Sequence, residues 1–200
     1  MFIVALKNII CIIALILMSP ILILAASLIA LEDGMPIFFM QKRVGLHKKL
    51  FTIYKMRTMK KNAPQVGTHV IKNEYKLTIG LILRKLKLDE FPQLLNVVLG
   101  DLNLVGPRPG LENQYELMES RSRKNIFSTK PGITGLAQIL GYDMSDPKLL
   151  AEVDFLYVKN QTVILDSVIL LGTFFNFPRK YLATRFKIND LKNNQQELNV

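Results

Sequence analysis

Residues Ile9 to Leu31 read IICIIALILMSPILILAASLIAL, 23 positions without a charge and with Ser19 and Ser27 as the only polar side chains. About 20 apolar residues carry a helix across the hydrocarbon core of a bilayer, and this run exceeds that. A secretory leader is the first alternative, but its apolar part spans about 7–15 residues behind a basic start. Here only Lys7 precedes a longer run, and Leu24-Ala25-Ala26-Ser27 is a poor cleavage site, so a retained membrane segment is the better reading. Cys11, inside the run, reads most simply as a small apolar residue. Ser19-Pro20 stands mid-run. Proline lacks a backbone donor and clashes with the carbonyl four residues back, and in lipid the released carbonyl needs a partner such as the Ser19 hydroxyl. Two topologies follow: a crossing helix with a tolerated kink, or a re-entrant helix–break–helix hairpin over residues 1–33 that enters and leaves by one leaflet.

Outward from this segment the chain turns basic. Lys42, Arg43, Lys48, Lys49, Lys55, Arg57, Lys60 and Lys61 fall between positions 41 and 61 with no acid among them. Such a cluster beside a membrane segment puts the rest of the chain on the cytoplasmic face. The whole chain has 200 residues, 26 Lys+Arg against 16 Asp+Glu, half its residues hydrophobic, one Cys and no Trp. That composition is too apolar for a disordered basic tail. One Cys forms no internal disulfide and no Cys-rich zinc site, and His47 and His69 lack acidic neighbours, which speaks against a His-based metal centre. Nucleic acid and an anionic membrane surface both suit the charge; the lipid segment favours the membrane.

Met35–Met40 and Leu50–Met56 are rich in β-branched and aromatic residues around a turn-like Gly45–Lys49, which predicts a β-hairpin. Residues 62–74 are polar and irregular. From Tyr75 the spacing of Leu77, Leu81, Arg84 and Leu88 is helical, and a second helix is expected from Asp89 to Leu99, stopped by Gly100-Asp101. Gly106–Gly110 and Lys130–Gly135 read as rigid loops, with a polar helix from Leu111 to Phe127 between them. Val163–Phe177 is apolar but short for a span, and Arg179, Lys180, Arg185 and Lys187 then interleave with Tyr181, Leu182 and Phe186, a mixture suited to a helix at the headgroups. The fold class is α+β, mainly α. It comprises a membrane-embedded segment (1–33), a compact catalytic domain with a small β-hairpin and interfacial helices (34–188), and a polar tail (189–200).

Asp89-Glu90 is an acidic pair set in cationic sequence, after Arg84, Lys85 and Lys87. By local pattern alone Asp89 is a helix N-cap with Pro92 in the first turn. The same geometry serves chemistry. A carboxylate at a helix start beside arginines stays ionised, phosphate is attracted there, and the carboxylate can hold a hard cation such as Mg²⁺ or attack phosphorus. Arg108 between Pro107 and Pro109 presents a planar fork on stiff backbone, suited to bidentate phosphate binding, or is a turn arginine at the surface. Lys55 and Arg57, two apart on a strand, share a face that is either solvated or ligand-binding. Gly132 and Gly135 either let backbone approach a ligand or form tight turns. P-loop, GxGxxG and HExxH motifs are absent.

Taken in order, these residues resemble the bacterial sugar transferase family, the monotopic phosphoglycosyl transferases. The resemblance is carried by the apolar run with Ser19-Pro20, Gly34–Phe39 with Gln41, Arg43 and Gly45, and Phe51 with Tyr54–Met59. It continues through Leu83-Arg84, Leu88–Leu94, Asn96, Gly100-Asp101, Val105–Pro109, Lys130–Gly135, Ala137-Gln138, Asp154 and Tyr157, and covers roughly residues 1–175. Departures are Lys87, Phe91 and Leu136, where the family often has Ser, Leu and Trp.

The resemblance implies transfer of a sugar 1-phosphate from a UDP-sugar to undecaprenyl phosphate with release of UMP, an early membrane step of glycoconjugate or polysaccharide assembly on the cytoplasmic face of the bacterial inner membrane. It makes Asp89 the nucleophile of a covalent phosphosugar intermediate and the Mg²⁺ residue, with Glu90 as its partner in catalysis. Lys55, Arg57, Arg84, Pro107, Arg108, Pro109, Gly132 and Thr134 are the implied substrate-binding set, and Ser19 and Pro20 the break of the membrane helix. Arg84 is also a candidate tie between that helix and the active site. The partners are then the UDP-sugar, undecaprenyl phosphate and membrane lipid, and no nucleic acid; the oligomeric state is left open, a homo-oligomer included. The alternative is a non-enzymatic, membrane-anchored basic protein that binds anionic lipids.

Overall fold

A computed structural model describes residues 2–63 and 75–186; most of the polar stretch expected over 62–74, Lys187 and the tail over 189–200 lie outside them. In chain order the elements are α1 (Phe2–Asp33), β1 (Phe38–Val44), β2 (Leu50–Met56), α2 (Thr78–Lys85), α3 (Gln93–Leu99), β3 (Asn103–Val105), α4 (Tyr115–Arg123), β4 (Gly132–Thr134), α5 (Leu136–Ile139), α6 (Pro147–Lys159), α7 (Val163–Phe174) and α8 (Asn176–Arg185). The chain is mainly helical, with two small two-stranded sheets. It divides into two compact units, Met1–Gln41 with Thr52–Gly100, and Lys42–Phe51 with Asp101–Val200.

In the first unit α1 has 32 residues, about 48 Å at 1.5 Å per residue, more than the thickness of a hydrocarbon core. Lys7, Cys11, Met18, Leu22, Ala25 and Ile29 recur at helical spacing as a covered stripe, while Ile13, Ile16, Leu17, Leu24 and Leu31 stay exposed on the other faces. Helical conformation continues through Pro20, so the expected break is not a gap in the helix. The physical reason is local: proline leaves Ile16 O without its N–H partner, and Ser19 Oγ donates to that carbonyl at 2.7 Å. Gly34, at φ +63°, ends the helix and donates to Ala30 O at 2.9 Å.

Ala25 and Ile29 pack with Met56, Leu77 and Leu83, which docks the end of α1 on β2 and α2. Ile29 is fully buried, and truncating such a side chain to alanine costs about 2–5 kcal/mol. The hairpin closes as anticipated, Gly45 N donating to Lys49 O at 2.8 Å, although β1 starts only at Phe38. The helix expected over Asp89–Leu99 is divided instead. Leu88–Glu90 form a single 3₁₀ turn, and α3 begins after Pro92, whose missing donor suits a helix start. Asn96 on α3 is fully buried and grips β2, accepting from Tyr54 N at 3.2 Å and donating to Thr52 O at 2.7 Å.

In the second unit β3 and β4 pair in parallel, Asn103 with Gly132 and Val105 with Thr134. The stretch Lys130–Gly135 is thus partly strand rather than loop. Three residues are too few to show alternation, so periodicity had nothing to detect. Around the strands a core of Val105, Leu117, Leu136, Val153, Leu165 and Ile169 gathers residues of α4 to α7. The polar helix expected over Leu111–Phe127 is confined to α4, because Asn125 turns left-handed at φ 54° before a 3₁₀ turn at Ile126–Ser128. α6 starts with Pro147 at its first turn under an Asp146 cap that accepts from Leu149 N at 2.9 Å. The apolar run Val163–Phe177 breaks at an extended Phe175 into α7 and α8. These two helices expose Val163, Ile164, Phe174 and Phe177 beside Lys180 and Arg185, the mixture expected of an interfacial pair. Arg179 is turned inward and closes the end of α7, donating to Gly172 O and, at 2.9 Å, to Thr173 O.

Candidate active site

Asp89 occupies the 3₁₀ turn ahead of α3 and is buried, at 8 % exposure. It is not the expected helix cap: Pro92 holds the cap position of α3 and makes no side-chain cap bond. Nor is its carboxyl held down by the neighbouring cations. Burial, followed by the Glu90 charge, pushes it above its ordinary value, and Lys55 and Arg84 offset this only in part. A buried carboxylate stripped of water is the more reactive base and nucleophile once ionised. Glu90 faces β2, where Lys55 Nζ lies 2.6 Å from its Oε1.

Arg84, in the last turn of α2, donates Nε to Thr58 Oγ1 at 2.8 Å, which fixes its guanidinium on the side of the Asp89 charge. Arg57 behaves differently from its sequence neighbour Lys55. It follows the end of β2, is 6 % exposed, and donates to Asp33 Oδ2 at 2.8 Å, Asp33 O at 3.2 Å and Gly34 O at 2.5 Å. Lys55 thus meets Glu90, while Arg57 is bonded to the end of α1, where a cation meets the negative pole of the helix. Glu32 completes that joint by accepting from Thr78 N at 2.6 Å and Ile79 N at 3.1 Å at the start of α2. The end of α1 is thus joined to Arg57 and to the start of α2 through Asp33 and Glu32.

In the second unit the loop Pro107–Gly110 is anchored through each of its carbonyls. Pro107 O accepts from Gly132 N at 3.0 Å, Arg108 O from Arg121 Nη1 at 2.8 Å, Pro109 O from Arg43 Nη1 at 3.2 Å, and Gly110 O from Val44 N at 3.0 Å. Pro107 and Pro109 are buried and Arg108 is half-buried. Gly132 serves this packing: a Cβ there would collide with the backbone of Val105 and Gly106. Thr134 is buried, its hydroxyl 3.0 Å from that of Thr173 on α7. Both residues thus pack behind or beside the loop.

Two features have roles that the sequence reading did not assign. Arg121 and Asp154 form an ion pair whose side chains are 3 % and 2 % exposed, Nε and Nη2 approaching Asp154 Oδ2 at 3.0 and 2.5 Å. The available signal was Asp154 itself, a lone acid within the apolar Val153–Val158 stretch of α6, which demands a buried partner. The other is Asn96, a polar residue on the covered face of α3.

A long apolar helix is thus fastened to a unit that carries a buried acidic pair, and a second unit is built around a clamped arginine loop. The bacterial sugar transferase model matches residues 2–180. The chain is 44 % identical over 157 residues to the uncharacterized sugar transferase EpsL of Bacillus subtilis, covering 78 % of this chain and 76 % of that protein. It is 36 % identical over 181 residues to the exopolysaccharide production protein ExoY of Sinorhizobium fredii, covering 82 % and 80 %. It is 38 % identical over 172 residues to the UDP-N-acetylgalactosamine-undecaprenyl-phosphate N-acetylgalactosaminephosphotransferase of Aeromonas hydrophila, covering 81 % of this chain but 40 % of that longer protein. The chain belongs to the bacterial sugar transferase family and is an enzyme, a transferase. That membership sets aside the reading of a non-enzymatic lipid-binding anchor.

Proposed function

We propose that this enzyme moves a sugar 1-phosphate from a UDP-sugar to undecaprenyl phosphate and releases UMP, with Asp89 as nucleophile. The observation that carries the reading is the buried Asp89 carboxyl, adjoining the Glu90–Lys55 pair and Arg84. An Asp89 oxygen attacks the sugar-bearing phosphorus; the bond from that phosphorus to the bridging oxygen breaks and UMP departs with the electron pair. An oxygen of the lipid phosphate then attacks the same phosphorus, the acyl-phosphate bond breaks, and the carboxylate is restored beside a polyprenyl diphosphosugar. Arg84 and Arg108 are assigned to donor phosphate, and Lys55 orients Glu90.

Among the described residues no three His, Cys, Asp or Glu side chains converge as a metal site. A cation held by protein alone does not fit, whereas Mg²⁺, which takes one or two carboxylates plus substrate phosphates, fits Asp89 and Glu90. When bound it would neutralise charge on the diphosphate.

For topology, the proposal is that α1 is re-entrant, bending at Ser19-Pro20 so that the catalytic chain lies on the cytoplasmic face. Pro20 in the middle of an apolar helix, the commonest cause of a helix bend, favours it. In a chain with Cys11→Ser, cysteines replacing Val4 and Met35 should both be modified by an impermeant reagent from the cytoplasmic side; modification from opposite sides overturns re-entry. The function is tested by UMP release from UDP-glucose, UDP-galactose and UDP-N-acetylgalactosamine, with and without undecaprenyl phosphate. Incubation with labelled donor alone should leave a phosphosugar on the Asp89 peptide. Full turnover by an Asp89→Asn enzyme would sink the assignment.

A further inference from the structure

The buried ion pair of the second unit has no part in the reaction as proposed so far, yet it is attached to the one loop expected to meet substrate. Arg121 spends Nε and Nη2 on Asp154 and Nη1 on Arg108 O at 2.8 Å. Continuum physics gives such a pair little stabilising value, because desolvating two charges costs about what their attraction returns. A packed apolar pair would hold α4 against α6 equally well. What an apolar pair cannot do is donate to the Arg108 carbonyl. The neighbouring carbonyls receive backbone donors from Gly132 and Val44 or the Arg43 side chain, so Arg108 O is the one whose donor depends on a charge brought in from α4.

We propose that Arg121, oriented by Asp154, is a positioning residue for Arg108: it sets the backbone from which the Arg108 guanidinium meets the phosphates of the nucleotide-sugar donor. Three features of arginine make the arrangement specific. Its planar fork serves two partners at fixed angles, its charge persists at any working pH, and Asp154 locks the plane of the fork. A lysine would keep the charge opposite Asp154 but lacks the fork, so it cannot hold both acceptors in the same geometry. The inference rests on the proposed phosphate role of Arg108, and the test separates the two.

Donor KM and kcat are measured for UMP release in the full chain, together with the melting temperature, for Arg108→Ala, Arg121→Lys and the double variant Arg121→Met/Asp154→Leu. Arg108→Ala should raise donor KM at least tenfold. Arg121→Lys and the apolar double variant should each raise donor KM about fivefold to tenfold, with kcat within about twofold. KM for undecaprenyl phosphate should stay unchanged, and the double variant should melt no lower than the parent chain. If Arg121→Lys does not fold, the double variant carries the comparison. An unchanged donor KM in the double variant, with Arg108→Ala impaired, overturns the positioning role alone. An unchanged donor KM in Arg108→Ala overturns the phosphate role of Arg108 and this inference with it.

Discussion

Arg57 holds Asp33 at 2.8 Å and the carbonyls of Asp33 and Gly34 besides, so a cation that the sequence offered as a phosphate ligand is the bolt at the end of the membrane helix. Its partner Asp33 also receives Lys61 N at 3.1 Å. The residue is deeply buried, at 6 % exposure, and Nη1 and Nη2 are spent on these acceptors.

Replacing Arg57 by alanine should therefore weaken the fold rather than the chemistry. The loss is about 2 kcal/mol, since Asp33 keeps some access to water. Thermal unfolding in lipid nanodiscs measures it, and enzyme that remains folded should retain donor KM. A raised donor KM at unchanged melting temperature would return Arg57 to the binding site.

Asp89 should show the opposite trade. Its carboxyl titrates above 3.8 in the folded chain, so between 3.8 and that raised value the folded state binds more protons than the unfolded one. The stability it contributes is complete below 3.8 and is lost as pH rises through the raised value. Above that raised value the folded chain carries a buried charge, and Asp89→Asn, which removes it, should abolish transfer while raising the melting temperature. A fall in melting temperature in that range would contradict the burial argument.

The same shift predicts the acid limb of the pH profile. A nucleophilic Asp89 must be ionised, so kcat/KM for the donor should fall on acidification at a midpoint above 3.8. Chelation of Mg²⁺ should reduce turnover without unfolding the chain, because the ion is held chiefly by the substrate phosphates.

Asn96→Ala should cost about 2–3 kcal/mol, for it leaves the Tyr54 donor and the Thr52 acceptor of β2 without their partner. Because Lys55 lies in the same strand, kcat should fall along with stability. Asn96→Asp, which buries a charge and sets a carboxylate against Thr52 O, should be the costlier change of the two in urea unfolding.

The membrane helix and the hairpin were legible because both announce themselves over many residues, one by a long uncharged run and the other by two β-rich stretches around a turn. The Asp89-Glu90 pair was legible as an anomaly of charge. β4 was not, since three residues carry no period, and Leu111–Phe127 was overextended because polar sequence does not record where Asn125 reverses the chain. Within the site, the sequence could present Arg57, Arg84 and Arg108 only as equivalent cations. What distinguishes them is which acceptor each meets across the fold: a helix end, a threonine hydroxyl, or a loop braced from behind by Arg121. Such pairings are made over distances of 13 to 26 residues and leave no local trace.

Glu32 has a consequence for exchanging parts among relatives. The last turn of α1 supplies the acceptor for the first donors of α2, so the two helices share a phase as well as a join. One residue added to or removed from α1 upstream of Ala25 would turn the preceding part by about 100°. The covered stripe would then rotate out and the greasy faces in. The helix thus acts as a keyed shaft, and chimeras that graft another membrane segment onto this catalytic unit should function only when they keep the count from Cys11 to Glu32.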